Sequence, residues 1–350
     1  MAVTRRSVLS GALAIGAAGV ASGCMRGSAL PIPPPDTGVS FESFSADFDA
    51  VVDTAAQPRL LSDGHWWAEG PAWDRQRQRL YFTDVPKNRA YVWSQSEGAG
   101  LFLSPSGVEA EKAQGMREPG ANGLMLSHSG ELLICNHGKR AVEARNFTTG
   151  ARRTLASSFN GKLFNSPNDL VEARDGAIYF TDPPYGLSGL NDSPLKQLAH
   201  NGVYRLAPDG SVSLLVEDMT FPNGVVLSPD ETSLYVSQSD PKAPLIRRFS
   251  LSGDDRSMIG EGEIWFDAQP FMHDVGGLPD GMAVSVDGHI MLAGPNGVLV
   301  IDRDGACLGR IATGRASANC AFGEDGRTLF ITAKDRLLAV RTKIAGLGQF

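Results

Sequence analysis

The stretch NGVVLSPDETSLYVS at residues 223–237 carries the pattern that decides the fold. A polar residue opens a short apolar run, a Ser-Pro-Asp-Glu-Thr turn follows, and a second apolar run returns, as in a β-hairpin. The same order recurs five more times. Glu69 opens EGPAWD, Asn122 NGLMLS, Asn168 NDLVEA, Asp280 DGMAVS and Asn319 NCAFGE. An apolar tetrad follows each opening residue at an offset of ten or eleven: residues 80–83, 132–135, 178–181, 234–237, 290–293 and 329–332.

The tetrads succeed one another at roughly 40 to 55 residues, the period of a β-propeller blade. Forty glycines and 21 prolines suit many short strands and turns. Four strands fit the first repeat, at 69–74, 79–83, 90–94 and 101–104. Third strands recur as GVYRL at 202–206 and GVLVID at 297–302. Ser129-Gly130, Asp175-Gly176, Pro229-Asp230, Asp287-Gly288 and Asp325-Gly326 supply the hairpin turns. The last repeat offers only three strands, at 319–323, 327–332 and 336–341, and residues 59–61 are expected to add the fourth. That pairing would join the chain ends and remove an exposed sheet edge. The expected fold is all-β: a six-bladed β-propeller over residues 57–350, with a central channel able to hold a metal.

Composition narrows the partners. A net charge of −7 with no basic stripe argues against nucleic acid, and no internal run is long and apolar enough to span a membrane. Residues 1–24 resemble a twin-arginine signal: Arg5 and Arg6 precede an apolar Ala/Gly-rich run. Export to the periplasm is therefore expected. Cys24 ends a lipobox-like ASGC, so a lipid anchor and ordinary signal cleavage both remain open. Residues 25–56, Pro- then Ser/Asp-rich, read as a linker or arm. Cys135, Cys307 and Cys320 read as buried small apolar residues, with a Cys307–Cys320 bridge as the alternative. Oligomeric state is not readable.

In a propeller the inner strand of each blade lines the channel, so the six opening residues would share one mouth. Residues just after the tetrads return to that mouth, among them Asp84, His137, Asp182 and Ser239. Any one Asn-Gly or Asp-Gly is better explained by turn chemistry. Glu69 is not, and the six-fold recurrence is not. Two carboxylates and four amides without thiolate or imidazole are ligands for a hard divalent cation, Ca²⁺ or Mg²⁺/Mn²⁺. GxSxG, GxGxxG, P-loop and CxxC patterns are absent.

EGPAW, NSPNDL, FTDPPYGL, FPNGVVLSPDETSLYVS, GLPDGM and NCAFGEDGRTLFITA together resemble the gluconolactonase branch of the regucalcin-like superfamily, over about residues 57–350. The exported N-terminus is similar to that of bacterial periplasmic members. The resemblance implies a six-bladed propeller that hydrolyses sugar lactones with one divalent cation, Ca²⁺ first, Mg²⁺, Mn²⁺ or Zn²⁺ as alternatives. It implies Glu69, Asn223 and Asp280 as metal ligands, Asn168 as a fourth ligand or substrate contact, and Asp280 as catalytic acid/base. Asn122 is expected on the substrate side. Where regucalcin carries a substrate-contacting Arg two residues before the Asn168 position, this chain has Ser166. His137, Asp182 and Tyr185 become the candidates to replace that contact. An arylesterase or non-sugar lactonase on the same site, and a non-catalytic calcium-binding propeller, are the competing readings.

Overall fold

The six opening residues stand at or just before the start of six inner strands: Ala68–Asp74, Ala121–Leu126, Leu170–Glu172, Pro222–Leu227, Met282–Val284 and Asn319–Gly323. This is seen in a computed structural model that describes residues 36–252 and 257–347. Each inner strand pairs antiparallel with the strand holding its apolar tetrad, and further strands extend the sheet outward. The hairpins between first and second strands turn on Gly130, Gly176, Gly288 and Gly326, with φ of 80°, 84°, 87° and 83°. Glu231, at φ 57°, takes that role in the fourth blade.

The ring closes as expected. Arg59–Ser62 pairs antiparallel with Arg336–Arg341, in the register Arg59↔Ala339 and Leu60↔Leu338. The sixth blade is thus built from both ends of the propeller, and the arrangement is a six-bladed β-propeller.

Its core is divided among the blade interfaces. Leu80 and Phe82 pack with Trp73, Phe330 and Leu337 between blades six and one. Tyr81, on the opposite face of the same strand, packs with Leu124 and Ile134 of blade two. A blade covered on both faces needs apolar side chains at every position of its second strand, so the tetrads run unbroken instead of alternating. Full burial of each large apolar side chain is worth roughly 1.5–3 kcal/mol.

The segment read as a linker is packed from residue 36 on. Ser40–Ser43 adds a fifth strand to blade five, with Ser40↔Ala312 and Ser43↔Gly309 in register. The helical turn Phe48–Val51 then buries Phe48, Val51 and Val52 among the side chains of blades five and six. A Cβ at Gly309 would fall 2.4 Å from the Phe48 ring, so only glycine lets the turn seat there. The twin-arginine pattern and Cys24 lie outside the described residues. Cys135, Cys307 and Cys320 are free thiols, so no Cys307–Cys320 bridge exists. Among the described residues no helix is long and apolar enough to cross a membrane.

Candidate active site

Contact between neighbouring blades accounts for the glycine that follows four of the six ring residues. A Cβ at Gly70 would lie 2.2 Å from the Asn122 carbonyl oxygen; at Gly123, 2.6 Å from that of Asn168; at Gly224, 2.3 Å from that of Asp280. At Gly281 it would fall 2.0 Å from the Asn319 side chain. Hydroxyls that end the tetrads lock the same approach. Thr83 Oγ1 donates to the Asn122 carbonyl (3.1 Å), Thr181 Oγ1 to that of Asn223 (2.6 Å) and Ser237 Oγ to that of Asp280 (2.7 Å). Blades one, three and four therefore fix the backbone of the next blade's ring residue.

The ring side chains form a directional relay. Asn122 Nδ2 donates to Asn168 Oδ1 (2.9 Å), Asn168 Nδ2 to Asn223 Oδ1 (2.6 Å), and Asn223 Nδ2 to Ser239 Oγ (2.7 Å). Ser239 Oγ passes the chain to the Pro279 carbonyl at 2.5 Å, next to Asp280. Two buried oxygens receive no donor: Asn122 Oδ1 at the head and Asp280 Oδ1 beyond the tail. Glu69, Asn122, Asn168, Asn223 and Asp280 all line one cavity of about 580 Å³, walled by Trp66, Trp67 and Leu278.

Charge is concentrated and uncompensated there. Burial pushes the Glu69 carboxyl up to about 8, against the pull of the Gly70 N–H at 2.7 Å. Asp280 is raised well above the usual carboxylate range by burial, then by Glu69 and Asp169. Burial likewise pushes Asp169 up to about 7. Desolvated carboxylates crowded together favour protonation, or a bound cation. Among the described residues no three His, Cys, Asp or Glu side chains cluster as metal ligands. The donor set at this mouth is two carboxylates with amide oxygens, which suits a hard cation.

Other expected residues divide. Tyr185 lines the cavity, and its ring stacks on Phe221 at 5.9 Å. His137 does not line it. This imidazole is fully buried behind Asn122, with Nε2 3.3 Å from Asn122 Nδ2, and burial pulls its pKa down to about 3. A neutral ring accepting at Nε2 orients the Asn122 amide from behind the cavity lining. Asp182 is also withdrawn: its carboxylate accepts the backbone N–H of Asn165 (2.7 Å) and Ser166 (2.8 Å). Asp84 does the same for Trp66 and Trp67, and Gln238 Oε1 for Thr220. The residue after the tetrad thus captures the loop two or three residues before its own blade's ring position. Asn319 faces the opposite mouth with Asp169.

Sequence reasoning missed Asp169, Arg117 and Glu118. Asp169 had a signal, because its ring position alone is followed by an acidic residue. Arg117 and Glu118 line the cavity from an irregular connection that no repeat marks.

Residues 67–335 match the sequence profile of the SMP-30/Gluconolactonase/LRE-like region. The chain belongs to the SMP-30/gluconolactonase family. A gluconolactonase of Zymomonas mobilis is 38% identical to it over 98% of this chain and 99% of its own length. Family members of known structure superpose closely. One described as a putative gluconolactonase gives a TM-score of 0.76 at 31% identity, covering 89% of this chain and all of its own. A gluconolactonase of Xanthomonas campestris gives 0.73 at 32% identity, covering 86% and 94%.

Proposed function

We propose that this protein is a cation-dependent lactone hydrolase that opens glucono-1,5-lactone or a related aldonolactone to the sugar acid. Lactone hydrolysis is supported by similarity to gluconolactonases along nearly the whole chain. Cation dependence is carried by one observation: buried Glu69 and half-buried Asp280 both line one cavity, where the buried Asp280 Oδ1 has no hydrogen-bond partner. The residues fit a divalent cation, Ca²⁺ first, held by Glu69, Asn223 and Asp280 with Asn168 beside them. When bound, such a cation supplies Lewis acidity to the lactone carbonyl.

The chain's own groups do the rest. The interlocked blades hold the amides and carboxylates at fixed positions, so little reorganisation accompanies reaction. Asp280 accepts the proton of the water that attacks the carbonyl carbon. As the ring C–O bond breaks, it returns that proton to the leaving alkoxide oxygen. Trp66, Trp67 and Leu278 give the cavity an apolar wall on one side. That same apolar wall favours the competing substrate, an aryl ester or unsubstituted lactone. The N-terminal twin-arginine pattern supports a periplasmic enzyme in this reading, which cell fractionation checks.

Proton release from glucono-1,5-lactone, measured with calcium and with chelator, is the test. Faster release than the spontaneous rate, lost on chelation and restored by calcium, is expected. Release at the spontaneous rate with calcium present would leave a non-catalytic calcium-binding propeller as the better account.

A further inference from the structure

Two connections that cross the cavity mouth are tied into one rigid ledge. Arg117 N and Glu118 N both donate to the Gly186 carbonyl, at 2.8 and 3.3 Å, and Ser188 N donates to the Gly115 carbonyl at 3.0 Å. Met116 and Leu187 form a β-bridge between them. The ledge is anchored from below. Ser166 Oγ donates to the Pro183 carbonyl (2.5 Å) and accepts the Gly186 N–H (2.9 Å). A Cβ at Gly186 would lie 2.8 Å from the Cβ atoms of both His137 and Ser166.

Three polar groups reach the cavity from this ledge. Arg117 Nε (3.1 Å) and Nη2 (2.6 Å) both donate to Glu118 Oε1, which pins that one oxygen of the carboxylate. Among the described residues no hydrogen bond to Glu118 Oε2 is seen, although the side chain is only 13% exposed, and His137 Nδ1 stands 3.7 Å from it. The Tyr185 hydroxyl is buried beside Ser239 and makes no hydrogen bond of good geometry. An acceptor, guanidinium donors and a phenol that both donates and accepts match vicinal hydroxyls, each of which also does both. The pair is internally neutral and faces Glu69 and Asp280, so an uncharged ligand fits better than an anion.

We infer that Arg117, Glu118 and Tyr185 form a polyol-recognising subsite that selects lactones bearing free ring hydroxyls over bare ones. The inference rests on the lactone-hydrolase reading above and assigns its specificity to a ledge outside the ring. A buried acceptor left without its hydroxyl penalises the bare substrate, which is how hydrogen-bonding sites discriminate.

The experiment compares kcat/KM for glucono-1,5-lactone and δ-valerolactone in the calcium-loaded full chain, in Glu118→Gln and in Tyr185→Phe. The ratio of the two values should fall about 10- to 100-fold in Glu118→Gln and about 2- to 10-fold in Tyr185→Phe, chiefly through KM for the gluconolactone. A folding defect lowers both substrates together and leaves the ratio standing, so the ratio reads the subsite alone. An unchanged ratio in both variants overturns the subsite while leaving the hydrolase intact. Unmodified protein that opens neither lactone removes the hydrolase reading and the subsite with it.

Discussion

At the scale of single residues, the proposed mechanism gives Glu69 and Asp280 different roles. Asp280 Oδ1 is buried without a donor, whereas Glu69 Oε2 accepts the Gly70 N–H. Asp280→Asn keeps the shape and removes the proton acceptor, so kcat should drop roughly 10²- to 10⁴-fold. The same change deletes one uncompensated buried charge, so the variant's melting temperature in chelator should equal or exceed that of the unmodified protein. Retained turnover would remove Asp280 as the acid/base. Glu69→Gln should weaken calcium binding, read by calorimetric titration. An affinity equal to that of the unmodified protein would place the cation elsewhere.

At the scale of elements, the buried polar residues that end the second strands act as clamps on loops. Asp182→Ala leaves the Asn165 and Ser166 N–H groups buried without an acceptor, at a cost of about 1–3 kcal/mol for each. Urea unfolding should show that loss, and a change below about 0.5 kcal/mol would contradict the clamp. Phe48→Ala tests the N-terminal arm the same way. The side chain is fully buried between blades five and six, and its removal should cost about 3–5 kcal/mol. These elements also mark the limit of what the sequence discloses. The ring and its blades were legible because Glu69, Asn122 and their counterparts repeat at one offset. Asp182 was legible as a mouth residue, but not as a clamp, because its target is backbone. Linker and arm both stayed open for residues 25–56 because, among its described residues, only Phe48, Val51 and Val52 are buried apolar side chains. Arg117 and Glu118 occur once, in a connection without period, where no pattern can announce them.

At the scale of the whole molecule, the channel links stability to pH and to cation. Glu69 is raised, so folding favours its protonated form. The stability this contributes is complete below the ordinary carboxyl value near 4.5 and is lost as pH rises through about 8. Asp169, raised to about 7, acts in the same direction. In chelator the melting temperature should therefore fall by several degrees across that window, and calcium should reverse the loss with release of protons. A melting temperature that rises with pH in chelator would contradict the crowding of these carboxylates. The closure of blade six by Arg59–Ser62 against Arg336–Arg341 has a consequence for biosynthesis. Glu69 belongs to blade one and Asp280 to blade five, with blade six between them. A nascent or prematurely ended chain holds both carboxylates in its sequence yet has nothing to hold them face to face. In the proposed mechanism, activity therefore requires that Arg336–Arg341 has met Arg59–Ser62.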